Sequence, residues 1–419
     1  MKFDTVSIVS VDTANNVLAA DQDKLITGFR YRERHVRVEG EFGPWRIVKG
    51  GSGQLLHVEV PFASGRMQGS GKAVDLTGVV MKIELALKLI PVPETPDQKH
   101  LVFDIEDALE RANSKEGAHA LRIVDPSGKI PSLKLNVVRE VVPTCLSKHV
   151  DKVSFVFASV ATKTTGGLEM PHNAWRYVEL GDGSAYLAIM GCETAITDTT
   201  MDPKLIKPKL DRIFALSKHA VQNRIILPYL NNSFKPKAHF KYNPKSKVIA
   251  NSKPIKLPKM EHGIWWVDPT INSITFTLVP GHLRCVVKTV SKMPLWTTFN
   301  CDLTMNMPLK VVNHKVQFAV DPKPGVTHSV GLPPGLDVLV GWFVNWIVGF
   351  FHEPIVALLS NISKRMQSLN SPSVQPVSWL GLPDFRVDKS GLGDWLWLGE
   401  AQDLEPGHVE RKATIEMAQ

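Results

Sequence analysis

Lys82-Ile83-Glu84-Leu85-Ala86-Leu87-Lys88-Leu89 alternates a branched apolar side chain with a polar or small one, without a slip. Successive side chains of an extended chain point to opposite faces, so Ile83, Leu85, Leu87 and Leu89 share one side. One oily face and one wet face predict antiparallel sheet buried on a single side. Working outward, the same rhythm appears at Val36 and Val38, and at Leu56, Val58 and Val60. It returns at Ile274, Phe276 and Leu278, and at Val316, Phe318 and Val320. Gly50-Gly51-Ser52-Gly53 suits a turn, and predicts a hairpin joining the Val36–Val38 and Leu56–Val60 strands.

Helical spacing is rarer. Val11 to Gln22 opens on Asp12-Thr13, a candidate cap, and Asn136 to Val150 is a weaker segment interrupted by Pro143. Leu205 to Leu230 places Ile213, Leu216, Ala220, Ile226 and Leu227 at roughly helical intervals. From Asp337 to Leu369 a stripe of Phe351, Ile355, Leu358, Leu359, Ile362, Met366 and Leu369 predicts one long helix. The expected fold is therefore α+β, with strongly curved antiparallel sheets wrapped around long helices in an elongated molecule. Two modules, 1–200 and 201–400, meet near Asp202-Pro203, and 401–419 reads as a tail.

The 419 residues are 43% hydrophobic and 21% charged, enough apolar material for a large core. Cys145, Cys192, Cys285 and Cys301 stand in no CxxC pair, which points to buried thiols rather than a disulfide framework or zinc site. Met1-Lys2-Phe3-Asp4-Thr5 opens no apolar leader, so the expectation is a cytoplasmic chain, or one released without a classical signal peptide.

Catalytic signatures are weak. Ser70-Gly71-Lys72 resembles part of a phosphate loop, but Arg66 stands where the first Gly belongs and Ala73 where Ser or Thr belongs. GxSxG, HExxH and GxGxxG do not occur. His149 and His172 have no partner at ligand spacing, and Asp104, Glu106 and Asp107 read as a solvated acidic stretch. No catalytic residue, metal site or cofactor is expected.

Charge is more telling. Lys204 to Lys259 holds fourteen Lys or Arg against the single acid Asp211, a local excess of thirteen, so the rest of this +8 chain is net −5. Phe234, Phe240 and Tyr242 are interleaved there. The stretch suits anionic lipid head groups, with Lys235, Lys237, Lys241 and Lys245 as the candidate contacts; a merely solvated basic face is the plainer alternative. Nucleic acid is not the expected partner, because no aromatic platform on a known module accompanies the charge. Val338 to Phe351 is apolar on almost every helical face, so it is either enclosed by sheet or in contact with lipid. At fourteen residues this run is shorter than the roughly 20 a membrane span needs. Trp342, Phe343, Trp346 and Phe350 are the candidates for an apolar seam.

Several stretches resemble the forty-seven-kilodalton protein encoded beside clostridial neurotoxins and its OrfX relatives. They are Trp45-Arg46-Ile47-Val48-Lys49-Gly50-Gly51-Ser52 with Leu55 and Val58, then Val74-Asp75-Leu76-Thr77-Gly78. Val153-Ser154-Phe155-Val156-Phe157-Ala158-Ser159, Ala185-Tyr186-Leu187-Ala188-Ile189 and Asn223-Arg224-Ile225-Ile226-Leu227-Pro228 follow in the family's order. These are packing and turn motifs spread over residues 1 to 230, and none carries a reaction. The resemblance implies the tubular lipid-binding (TULIP) superfamily, similar to bactericidal/permeability-increasing protein, and a non-enzymatic accessory of a toxin gene cluster. It implies lipid or an anionic membrane surface as partner; the alternative is an interaction module that docks on a toxin or sister protein.

Overall fold

A computed structural model describes residues 3–401 except 34, 70, 105–121, 148–154, 164–166, 169, 236–237, 263–264, 293–297, 322–323, 330–336 and 370–374. Three antiparallel sheets organise it. The central one has the strand order His172–Glu179, Ala185–Cys192, Thr5–Ser10, Leu210–Ser217, Trp395–Ala401, Lys389–Leu392. It therefore gathers the start, middle and end of the chain. A ten-stranded sheet is built mainly from residues 28–161 and a nine-stranded sheet from residues 240–329. Glu106, Asp107, His149, Lys237 and the 402–419 tail lie outside the described residues.

The alternation that opened the sequence is realised in the strand Val80–Val92. Met81, Ile83, Leu85 and Leu87 are buried while the residues between them are half-buried. This strand pairs with Leu55–Gln68, setting Val58 opposite Ile83, and with Thr95–Asp104, setting Leu87 opposite Phe103. Helix α1 (Val11–Ala20) and helix α2 (Ser132–Ser147) close the same core, α2 through Val138, Val141, Val142 and Leu146. Ser10, not Asp12 or Thr13, caps α1: its Oγ accepts the Thr13 N–H at 3.1 Å. The Gly-rich turn also joins different strands from those expected. Arg46–Ser52 is the partner of Leu55–Gln68 across it, with Ile47 opposite Val58. Val36–Phe42 pairs instead with the far end of that long strand, Val38 opposite Met67. Fourteen residues of one strand serve two partners end to end, which alternation cannot disclose.

In the second half, the nine-stranded sheet curls round α3 and α4. Helix α3 runs from Lys218–Ala220 through a π-helical segment, Val221–Ile226, to Leu227–Ser233. Helix α4, Asp337–Ser368, is 32 residues long, which at 1.5 Å per residue is about 48 Å. Its expected stripe is buried throughout: Phe351, Ile355, Leu358, Leu359, Ile362 and Met366 share a core with Phe276, Val287 and Leu303 of the sheet. The helix expected over 205–230 begins only at Lys218. Leu210–Ser217 is a strand buried on both faces, and a short continuous apolar run has no period to distinguish strand from helix. Ser217 then caps α3, its Oγ accepting the Ala220 N–H at 3.1 Å. A third, smaller core covers the other face of the central sheet, where Met201, Leu205 and Ile206 pack on Val6, Ile8 and Ala188.

Candidate functional site

The described residues leave one face of α4 only partly covered. Trp342, Trp346 and Phe350 are half-buried at the margin of the C-terminal core, while Gly341, Asn345 and Gly349 are exposed beside them. Among the described residues nothing lies within 4 Å of a Cβ placed on either glycine. The side chain of Phe343 lies outside the described ones. Trp346 and Phe350 stack with ring centroids 5.7 Å apart and planes at 23°. Phe350 meets Phe351 edge-on at 5.3 Å, and Phe351 faces Phe234 at the end of α3 at 6.3 Å. Phe234 in turn packs on Phe240 at 5.2 Å. Each spacing lies in the range of favourable aromatic pairs. A continuous line of rings thus runs from the partly covered face of α4 to the strand that carries Lys241.

That strand, Phe240–Asn243, forms a hairpin with Val248–Asn251. Phe240 and Ile249 turn inward and are buried, while Lys241, Lys245 and Lys247 are exposed. The hairpin is fastened to α3 at three points. Asn231 Oδ1 accepts the Phe240 N–H at 2.7 Å, and its Nδ2 donates to the Phe240 carbonyl at 3.3 Å. His219 and Tyr242 place their rings 5.2 Å apart. Gln222, fully buried in the π-helical segment, donates Nε2 to the Lys247 carbonyl at 2.9 Å. Lys247 has φ of 54°, the left-handed conformation a tight turn requires, and Asn243 Oδ1 accepts the Lys245 N–H at 3.0 Å within the same turn. Lys235, next to Phe234, is exposed.

The basic run as a whole is not one face. Arg212 is buried and paired with Glu400, Arg224 pairs with Glu193, and Lys218 approaches Asp394 at 3.6 Å. Lys207 and Lys259 lie over the rings of Trp397 and Trp266 at 5.5 and 4.9 Å. The fold disperses these cations and leaves Lys235, Lys241, Lys245 and Lys247 near the aromatic line. Gln222 and Asn231, which fasten the hairpin, carry no signal in sequence, since their partners are backbone groups brought near only by folding.

Asn345–Ser368 of α4 is the one helix among the described residues long and apolar enough to cross a membrane by length and composition, with mean hydropathy 1.2. A buried core helix meets the same criterion, and its stripe of Ile355, Leu358 and Ile362 is such a core. A cavity beside Arg212, lined by Ser7, Gln375 and Trp379 among others, measures 40 Å³, room for water and not for an acyl chain.

As for reactive groups, His57 Nε2 lies 3.2 Å from Glu84, its cross-strand neighbour, and Nδ1 lies 3.3 Å from the Lys49 carbonyl. Among the described residues no group of three His, Cys, Asp or Glu is placed to hold a metal. All four cysteines are buried and none is disulfide-bonded. Burial pushes the Cys285 thiol well above its usual range, the opposite of what an attacking thiolate needs.

The structure of P47 from Clostridium botulinum A2 superposes with a TM-score of 0.74 over 95% of this chain and 97% of that one, at 17% identity. P47 of Clostridium botulinum E1 gives 0.71 over 96% and 99%, at 18% identity. At such identities the likeness establishes the shared fold alone. Comparison with curated protein sequences gives no match. The family described as OrfX-like, Protein OrfX2/OrfX3/P47, matches residues 1–294, and with well over half of its length so matched this chain belongs to that family.

Proposed function

We propose that this protein associates with anionic lipid, holding phosphate-bearing head groups at the Lys241–Lys247 hairpin and apolar tails along the partly covered face of α4. The observation that supports this reading is the aromatic line from Phe240 through Phe234, Phe351 and Phe350 to Trp346. It places a fastened, cationic hairpin at one end of a half-covered aromatic face. Aromatic rings at the edge of an apolar surface suit the boundary between head groups and acyl chains. Each lysine near an anionic surface contributes about 1 kcal/mol, and each buried methylene about 0.8 kcal/mol. On this reading the protein is a non-enzymatic lipid-binding accessory, and a toxin or a sister accessory protein is a further candidate partner.

Co-sedimentation with phosphatidylserine-containing vesicles, against pure phosphatidylcholine vesicles, tests it. The expected result is salt-sensitive binding to the anionic vesicles only. Lys235→Glu, Lys241→Glu and Lys245→Glu together weaken it at least tenfold, and Trp346→Ala with Phe350→Ala weakens it at unchanged salt dependence. Equal retention of wild type and both variants, or no retention at all, overturns the reading.

A further inference from the structure

We propose that the cleft between the strand Arg46–Ser52, the start of α1 and the turn at Gly183 binds a small molecule carrying two carboxylates and one ammonium, an acidic amino acid. The cleft measures about 600 Å³, within the roughly 300–1,000 Å³ of ligand-binding sites. Arg46, Lys49, Glu59 and Lys82 line one side of it, and the first turn of α1 and the turn at Gly183 line the other. Its walls are fastened to one another and to themselves. Asn15 of α1 donates Nδ2 to the Ile47 carbonyl at 2.9 Å and accepts the Ile47 N–H at 2.8 Å, which joins the helix to the strand. Across the cleft, Asp182 closes its turn by accepting the Ser184 hydroxyl at 2.6 Å and the Ser184 N–H at 2.9 Å.

The charges form a row. Register sets Arg46 opposite Glu59, Glu59 opposite Lys82, and Lys82 opposite Arg122. Residues directly opposite one another share a face of the sheet. Their neighbours Ile47, Val58, Val60 and Met81 are buried, so the row points away from the core. Such a row normally satisfies itself through cross-strand ion pairs. Here it does not. Among the described residues, the side chains of Arg46, Glu59 and Arg122 form no hydrogen bond or ion pair, and Lys82 Nζ has only the Lys49 carbonyl, at 3.4 Å. The other two charges of the cleft are answered locally. The Lys49 ammonium packs so closely on Gly183 that a Cβ there would collide with it, and its charge acts on the Asp182 and Glu179 carboxylates. Asp12 stands in the first turn of α1, where the helix N-terminus offsets its charge.

The order of signs selects the occupant. Arg46 and Lys82 lie two strand spacings apart, about 10 Å, with Glu59 between them. This positive–negative–positive pattern is complemented by carboxylate, ammonium and carboxylate on a short chain. Each carboxylate then meets one cation, and the ammonium meets Glu59. A simple anion would face Glu59 with like charge, and a diamine would face Arg46 and Lys82 so. The two repulsions exclude both classes. Arg122, beside Lys82, adds a like charge that a bound carboxylate relieves.

The test is isothermal titration calorimetry of the full chain with L-glutamate, with glutarate, which lacks the ammonium, and with putrescine, which lacks both carboxylates. L-glutamate is expected to bind one to one, glutarate at least tenfold more weakly, and putrescine not at all. Arg46→Gln and Lys82→Gln each weaken L-glutamate at least tenfold. Glu59→Gln weakens L-glutamate but not glutarate, so that the two bind alike. That reversal of preference separates a contact with the ammonium from a loss of structure, since a misfolded cleft would lose both ligands. Absence of L-glutamate binding, equal binding of L-glutamate and glutarate by the wild type, or an unchanged ratio between them in Glu59→Gln overturns the proposal.

Discussion

Asp125 closes a turn with its own side chain. Its carboxylate accepts the Ser127 hydroxyl at 2.6 Å and the backbone N–H groups of Ser127 and Ile130, each at 2.8 Å. These bonds favour the charged form, the Ser127 hydroxyl most, and against the opposing effect of desolvation they hold the pKa down at about 2. A carboxylate depressed in the folded state contributes stability that is complete above its unfolded value of about 3.9. That contribution is lost as pH falls through about 2. Carbon NMR titration of Asp125 is therefore expected to show a midpoint near 2, moving toward the unperturbed value in Ser127→Ala. Cys285 shows the opposite case, a group whose charged form is disfavoured. In native protein its thiol is expected to react with a disulfide reagent orders of magnitude more slowly than after denaturation.

At the scale of elements, α4 is two helices in one. Ile355, Leu358, Leu359 and Ile362 are sealed by sheet, whereas Trp342, Trp346 and Phe350 reach only half-cover. Leu358→Ala is expected to lower the unfolding free energy by about 2–5 kcal/mol, the range for a leucine removed from a closed core. Val356, 39% exposed on the other side of the helix, is expected to tolerate Ser within about 0.5 kcal/mol, and denaturant titration reads both. The stripe was legible because its 3-4 spacing survives any arrangement of neighbours. Leu210–Ser217 was not, because burial on both faces erases periodicity and only pairing with Thr5–Ser10 and Trp395–Ala401 makes it a strand.

For the whole molecule, the central sheet ties the chain ends together. Arg212 holds this junction: buried, it pairs with Glu400, donates to the Pro383 and Asp384 carbonyls at 2.7 and 3.1 Å, and lies 5.5 Å from the Phe385 ring centre. Removing one partner of a buried ion pair leaves the other charge uncompensated. Arg212→Ala is expected to destabilise the fold by about 3–5 kcal/mol in urea titration, with amide exchange in Trp395–Ala401 accelerated first.

The candidate site divides along the same line. Trp346, Phe350, Lys241 and Lys245 could be picked out from apolar and cationic runs, because composition is local. Their connection through Phe234 and Phe351 could not, nor could the removal of Arg212, Lys218 and Arg224 to other partners. By itself the sequence determined the antiparallel class, the long apolar helix and the family, since period, run length and turn motifs are properties of neighbouring residues. Which strands pair and which cations remain exposed were decided only by tertiary structure, because each depends on groups that lie tens to hundreds of residues apart until the chain folds.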